Sequence, residues 1–229
     1  MRKKNRKIQD TLSDFGISWA KPYYVSSDLD LTTVSKQSLR IDYCIFAICT
    51  NGHINIKVEE DYILVEKGTI LLINSPALVK LKDYDAELKF KILFFEKKFL
   101  LKHFADPFIL DRLFSAIDGK SRQVKTTKTD SDKIIKLLDH IEAKSYSQAK
   151  YEEAIIQASI FLLLLETAET LSSQEPLNLK FEHTKAPNIY FHFLELVKEN
   201  VLEHRDVQFY LDYLHVTNQN LILAVRKGG

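Results

Sequence analysis

Few residues in this chain could bind a metal or attack a substrate, and their spacing limits the chemistry. Only one of its seven histidines, His53, falls in the strand-rich stretch 38–95. His103, His140, His183, His192, His204 and His215 all lie outside it. A mononuclear transition-metal site needs several lone-pair donors converging on one ion, so this stretch is expected to hold no metal and no cofactor. His53, beside Gly52, reads as a solvated turn residue. Cys44 and Cys49 fall five apart on one predicted strand, so their side chains point to opposite faces and cannot pair as neighbours. Both read as small buried hydrophobes. No nucleophile elbow, phosphate-binding glycine loop or zinc spacing appears, and six glycines leave little for a nucleotide loop. The chain is therefore read as a non-enzyme. Recognition chemistry remains. Arg40, Tyr43, Tyr62 and Trp19 are candidates for holding a small anionic or planar ligand, because guanidinium and aromatic groups match such shapes. An exposed Arg40, with aromatics that only fill an interior, is the competing reading.

The second kind of recognition lies at 187–229. Ile189, Phe193, Leu196, Val197 and Val201 recur at helical spacing. Asp206 is placed to cap a second helix with Val207, Tyr210, Leu211 and Leu214 on its inner face. His215 and Val216 make a turn, and Thr217 caps a third helix with Leu221, Ala224 and Val225 facing inward. Two helices joined by such a turn form a helix-turn-helix, whose second helix enters a DNA major groove.

The elements that must position these residues follow from periodicity. Arg40–Thr50 is dense in Ile, Tyr, Cys and Phe and breaks at Asn51-Gly52, a hairpin signal. Ile54, Ile56 and Val58 alternate with polar residues. Tyr62–Val65, Thr69–Ile73, Leu78–Leu81 and Leu88–Phe95 follow, separated by Glu60-Asp61, Lys67-Gly68 and Asn74-Ser75-Pro76. Short strands at near-regular spacing, with no helices between them, predict an antiparallel barrel or sandwich. From Glu96 the period becomes helical. Phe99, Leu100, His103 and Phe104 share a face, and Asp106-Pro107 opens another helix carrying Ile109, Leu110, Leu113, Phe114 and Ile117. Residues 120–130 read as a polar loop, 132–144 as an amphipathic helix, and 151–171 as a helix apolar almost all round. Leu171–Pro187 reads as a linker.

The barrel and the C-terminal motif resemble AraC-type transcription regulators over about residues 36–227. In the motif, Arg205, Val207, Tyr210, Leu214, His215, Val216, Thr217 and Leu221 fit the family's pattern. In the barrel the matching pieces are Arg40, Asp42 and Tyr43, the Lys67-Gly68-Thr69, Leu71 and Pro76 run, and Leu93-Phe94-Phe95 with Phe99-Leu100. Where many such barrels carry a histidine four residues after the proline, this chain has Lys80. The resemblance implies an α+β fold. An N-terminal antiparallel cupin-like β-barrel is followed by all-α dimerisation helices and a partial helix-turn-helix. The expected segments are a sensor barrel with its following helices at 1–118, a helical dimerisation segment at 119–175, and the partial motif at 186–229. The family's joining helix and second motif are expected to be missing here. The resemblance also supports pairing through the apolar 151–171 helix, with Ile156, Ile160, Leu163 and Leu164 at a homodimer seam. A central helix within one compact domain is the alternative. The family's pattern assigns base-edge contacts to Gln219, Ile222 and Leu223, with Thr217 and Arg226 also on DNA.

Bulk properties bound the function. The 229 residues are 45% hydrophobic and 28% charged, ordinary for a globular chain, and the net charge is +1, so no global field favours nucleic acid. Residues 185–229 hold five Lys/Arg and five Asp/Glu, which is poor for phosphate binding. The longest apolar run, Ile160 to Leu165, is too short to span a bilayer, and the basic start Arg2–Lys7 lacks a secretory apolar stretch. With two cysteines, a reducing, cytoplasmic setting and no membrane partner are expected. The functional expectation is a ligand-responsive transcription regulator whose full-length form binds DNA, answers an unknown small-molecule effector and pairs as a homodimer. The rivals are a shortened interaction protein that modulates a full-length regulator and a small-molecule-binding cupin.

Overall fold

The structure is a computed structural model that describes residues 5–27, 29, 38–101, 121–174, 189, 193, 196–197 and 200–228. The chain divides into two compact units, Met1–Glu175 and Pro176–Gly229. The class is α+β, with antiparallel sheets followed by helices.

The first unit begins with helix α1 (Ile8–Asp14) and strands β1 (Tyr23–Ser26), β2 (Leu39–Ile41), β3 (Cys44–Asn51), β4 (His53–Val58), β5 (Asp61–Glu66), β6 (Thr69–Ile73), β7 (Ala77–Tyr84) and β8 (Lys89–Phe95). Helix α2 (Lys97–Leu101), strand β9 (Ser121–Lys125), helix α3 (Lys128–Ser145) and helix α4 (Glu152–Gln174) follow among the described residues. One sheet has the order β1-β8-β3-β6-β9 and the other β2-β7-β4-β5. All named strand pairs are antiparallel. Gly52 makes the β3–β4 hairpin at φ +71°, where a Cβ would lie 2.2 Å from Asp85 Oδ1. Only glycine suits that position.

Period-two alternation assigns the layers. Ile45, Ala47 and Cys49 of β3, Leu71 and Ile73 of β6, and Ile92 and Phe94 of β8 face the other sheet. There they meet Ile56, Val58, Ile63, Val65 and Ala77 in one core. The intervening Cys44, Phe46, Ile48, Ile70, Leu72, Leu93 and Phe95 are equally buried on the opposite face. Cys44 and Cys49 thus lie on opposite faces of one strand, both as buried free thiols.

Helices α3 and α4 pack on each other and on strands of the five-stranded sheet. Thr127 caps α3 by accepting from the Asp130 amide, and Ile134, Leu138 and Ile141 form its buried stripe. Lys91 of β8 pairs with Asp139, and Ser27 donates to Glu142 at 2.9 Å. Residues 121–125, expected as loop, form an edge strand whose pairing with β6 buries Val124. Its alternation is too short to stand out among the polar threonines. Strand β1 and helix α1 were also not legible as elements.

Helix α4 corrects the expected dimer seam. Ile156, Ile160 and Leu163 are 0% exposed and Leu164 3%, so all four are core residues of their own chain. The outward apolar positions are Ala154, Ala158, Leu162 and Leu165, spaced four, four and three apart. Taken whole, α4 is long and apolar enough to cross a membrane by length and composition. Half of that window is buried within the unit, as in a core helix. The helix expected over 109–117 lies outside the described residues, as do His103, Phe104 and most of the 171–187 linker.

Leu138→Ala and Leu163→Ala are each expected to cost roughly 2–5 kcal/mol, the range for truncating a buried leucine. Urea unfolding checks this, and a loss below about 1 kcal/mol at both sites contradicts the packing described.

Candidate nucleic-acid interface and ligand sites

In the second unit, Ile189, Phe193, Leu196, Val197 and Asn200 are helical. Helix α5 (Val207–Leu214) and helix α6 (Asn218–Gly228) follow. Asp206 caps α5 by accepting from the Gln208 amide at 3.1 Å. His215 ends it in the left-handed conformation, φ 52° and ψ 42°, which aims the chain into the turn. Thr217 Oγ1 accepts from the Asn220 amide at 3.2 Å and starts α6. The result is two capped helices joined by a short turn.

The packing inside this unit is narrower than the sequence pattern implies. Tyr210, Leu211 and Leu221 are buried, and Phe193 packs edge-on against the Tyr210 ring at 5.5 Å. The Tyr210 hydroxyl donates to the His204 carbonyl at 2.6 Å, and the His204 ring stacks on Phe209 at 3.9 Å. Val201, Val207 and Val225, expected inside, are 42%, 45% and 38% exposed. Helical spacing places them beside the inner stripe rather than on it.

The outward face of α6 carries the expected reading positions. Gln219 and Thr217 are exposed, and Ile222 and Leu223 are 44% and 50% exposed. These four stand on or beside the first two turns of α6. The Arg226 side chain lies outside the described residues. Only Gln219 and Thr217 among the four carry hydrogen-bonding side chains.

The four proposed ligand residues are not gathered at one point. Tyr43 is 1% exposed, its hydroxyl donating to Thr11 Oγ1 of α1 at 2.9 Å. Ile8 and Leu12 of α1 enter the same core, so this helix closes the space between the sheets beside Tyr43. Trp19 is partly buried and joins Tyr43 through a chain of rings: Trp19–Tyr24 at 5.4 Å, Tyr24–Phe94 at 6.2 Å and Phe94–Tyr43 at 5.1 Å. Arg40 is exposed and donates to Asn5 Oδ1 at 3.1 Å. Tyr62 is 71% exposed on the outer face of β5. His53 is exposed and bonds Asp85 Oδ2 through Nδ1 at 2.9 Å.

A cavity of about 640 Å³ lies elsewhere, lined by Lys21, Tyr23, Phe99, Gln148, Lys150 and Glu152 among others. That volume suits a small ligand. Beside it, Lys21 Nζ donates to the Ser145 carbonyl at 2.6 Å and to the Glu152 carboxylate. Tyr23 Oη donates to the same carboxylate at 2.6 Å. Lys21 therefore ties the end of α3 and the start of α4 to the barrel. Burial pushes Glu152 upward, but the bonds from Lys21 and Tyr23 outweigh it and hold the carboxyl below the usual range. Burial, then the bond to Glu152, raises the Tyr23 phenol. No sequence pattern pointed to this cluster, because Lys21 and Glu152 are distant in the chain.

No protein-family model matches this sequence, and no curated protein matches it. Among solved structures, an apo ToxT variant from Vibrio cholerae strain SCE256 is 12% identical over 90% of this chain and 80% of that chain, with a TM-score of 0.41. The AraC-like transcriptional activator CuxR is 10% identical over 91% of this chain and 68% of that one, TM-score 0.39. A putative ethanolamine utilization protein from Salmonella typhimurium LT2 overlaps 32% of this chain and 68% of that one, at 8% identity and TM-score 0.25. Superpositions this loose carry no argument about function.

Burial raises the Tyr43 phenol from 10.0 to about 12, with the Thr11 bond opposing it, and raises the Cys49 thiol from 9.0 to about 11. Both folded-state values lie above the unfolded ones. The stability they contribute is complete below pH 9 and is lost as pH rises through 11 and 12. Urea midpoints are expected to fall over that interval, and less steeply in Tyr43→Phe. A midpoint that is flat up to pH 12 contradicts this.

Proposed function

We propose that this chain is a ligand-responsive transcription regulator of the AraC type. The observation that carries the reading is the helix-turn-helix itself: Asp206 cap, left-handed His215, Thr217 cap and an outward α6 face. The sequence resemblance in the strand region and in this motif supports it. Gln219 is the base-reading residue, since a glutamine amide pairs with the adenine edge. Ile222 and Leu223 touch thymine methyls, Thr217 meets backbone, and Arg226 adds a phosphate contact. The proposed effector seat is the cleft at Lys21, Tyr23 and Glu152. Trp19 borders it through Lys21 Nζ, 5.7 Å from the indole centroid. A ligand that competes for Lys21 would loosen α3 and α4 from the barrel. Tyr43 then belongs to the core between the sheets, while Arg40 and Tyr62 remain candidates for contacts outside the cleft.

A second reading has its own support. The α6 face is half aliphatic and residues 185–229 are charge-neutral, which favours a protein that pairs with a full-length regulator over one that grips DNA.

Fluorescence anisotropy separates the two readings, using the full chain and duplexes from its own upstream region at low salt. Micromolar binding that Gln219→Ala weakens roughly five-fold or more supports base reading, since one good bidentate contact is worth ~1–3 kcal/mol. Absent binding, or binding that Gln219→Ala does not touch, favours the interaction protein.

The homodimer is proposed through the outer face of α4, at Ala158, Leu162 and Leu165. Leu162→Glu is expected to halve the mass seen by light scattering without lowering helicity. A monomeric wild type at micromolar concentration contradicts it.

A further inference from the structure

The outer face of β2-β7-β4-β5 carries an exposed aromatic ring set among lysines. Lys57 of β4 stands directly opposite Lys80 of β7, and on its other side opposite Tyr62 of β5. Lys82 follows on β7, its ammonium 5.1 Å from the Tyr62 ring centroid, while Lys57 Nζ lies at 5.4 Å. Like charges directly opposite on neighbouring strands destabilise a sheet. Lys57 is offset by Glu60 at 2.8 Å. Among the described residues, neither Lys80 nor Lys82 has a carboxylate within ion-pair distance. Tyr62 is 71% exposed and the neighbouring Leu64 45%, so a large ring stands in solvent where a small polar residue would cost nothing. Acidic groups on and beside this sheet are already engaged or lie at turns: Asp83 is held by Asn55 Nδ2, Asp85 by the His53 amide and ring, Glu59 by the Leu78 amide and Glu60 by Lys57, with Asp61 and Glu66 at the ends of β5.

An exposed aromatic among lysines, two of them without a carboxylate partner among the described residues, offers two things together: a π-surface and a phosphate track. Neighbouring strands lie roughly 4.8 Å apart, so the Tyr62–Lys57–Lys80 row spans about 10 Å. A small ligand needs a concave site, and this face is open. An acidic peptide would use the lysines and leave the ring idle. A duplex needs a helix or ribbon to enter a groove, which this face lacks. We propose that this face binds single-stranded nucleic acid, with a base stacked on Tyr62 and phosphates on Lys57, Lys80 and Lys82.

The test uses the full chain and a fluorescein-labelled oligothymidylate, read by anisotropy across a salt series. Tyr62→Ala is expected to weaken binding roughly five- to hundred-fold, and Tyr62→Phe to restore it. Lys80→Gln should weaken binding and lower the salt slope by about 0.7. A base-paired duplex of equal length should not show the Tyr62→Ala effect, because its bases are not free to stack on the ring, which separates the face from the helix-turn-helix. Heparin, which has no bases, should show no Tyr62→Ala effect. Three results would overturn the proposal: no oligonucleotide binding at low salt, equal binding by wild type, Tyr62→Ala and Lys80→Gln, or preference for an acidic peptide over the oligonucleotide. Tyr62 and Lys80 lie on the outer face, and matched thermal melts confirm that the variants are folded.

Discussion

Strand β3 is buried on both faces, and most of the first unit follows from that constraint. A strand reading Cys-Ile-Phe-Ala-Ile-Cys has no polar side to give to water. One face is satisfied by the second sheet, through Ile45, Ala47 and Cys49. The other needs a cover of equal apolarity, and α3 and α4 provide it. This is why Ile134, Leu138 and Ile141 face inward together with Ile156, Ile160 and Leu163. The Lys21 bonds to Ser145 and Glu152, and the Lys91 pair with Asp139, fasten the cover at two places. Barrel and helical pair therefore pack as one compact unit.

The same constraint explains what stays open. Among the described residues, helices cover the outer face of the five-stranded sheet alone. The β2-β7-β4-β5 sheet keeps its outer face in solvent, and its strands alternate accordingly, as in the exposed Tyr62, Leu64 and Glu66 of β5. Helix α4 likewise exhausts its apolar need on one side and leaves Ala154, Ala158, Leu162 and Leu165 outward.

Much of this was legible in residue order, and the failures have physical causes. Strands β3 to β8 announce themselves through alternation and through Asn51-Gly52 and Lys67-Gly68, because turn chemistry is local. The caps at Asp206 and Thr217 were legible for the same reason. Strand β9 was not, because its only buried side chain is Val124. The inner and outer faces of α4 were misassigned because a helix with Ile, Leu and Phe on every side gives no contrast. Its true inner face is set by what it packs on. The Lys21–Glu152 cluster was invisible because long-range ion pairs leave no periodic trace. Arg40, Tyr43, Tyr62 and Trp19 have the right chemistry for a ligand, but side-chain type does not reveal direction, and Tyr43 and Tyr62 ended on opposite sides of the sheets.

The role proposed for α6 is to read DNA in the cell. Immunoprecipitation of DNA crosslinked to the native chain, followed by sequencing, tests it most directly, with Gln219→Ala at equal abundance as the comparison. A small set of enriched sites sharing a short motif is expected, with enrichment lost in Gln219→Ala. Enrichment nowhere in the genome, or an identical set of sites in Gln219→Ala, would contradict it.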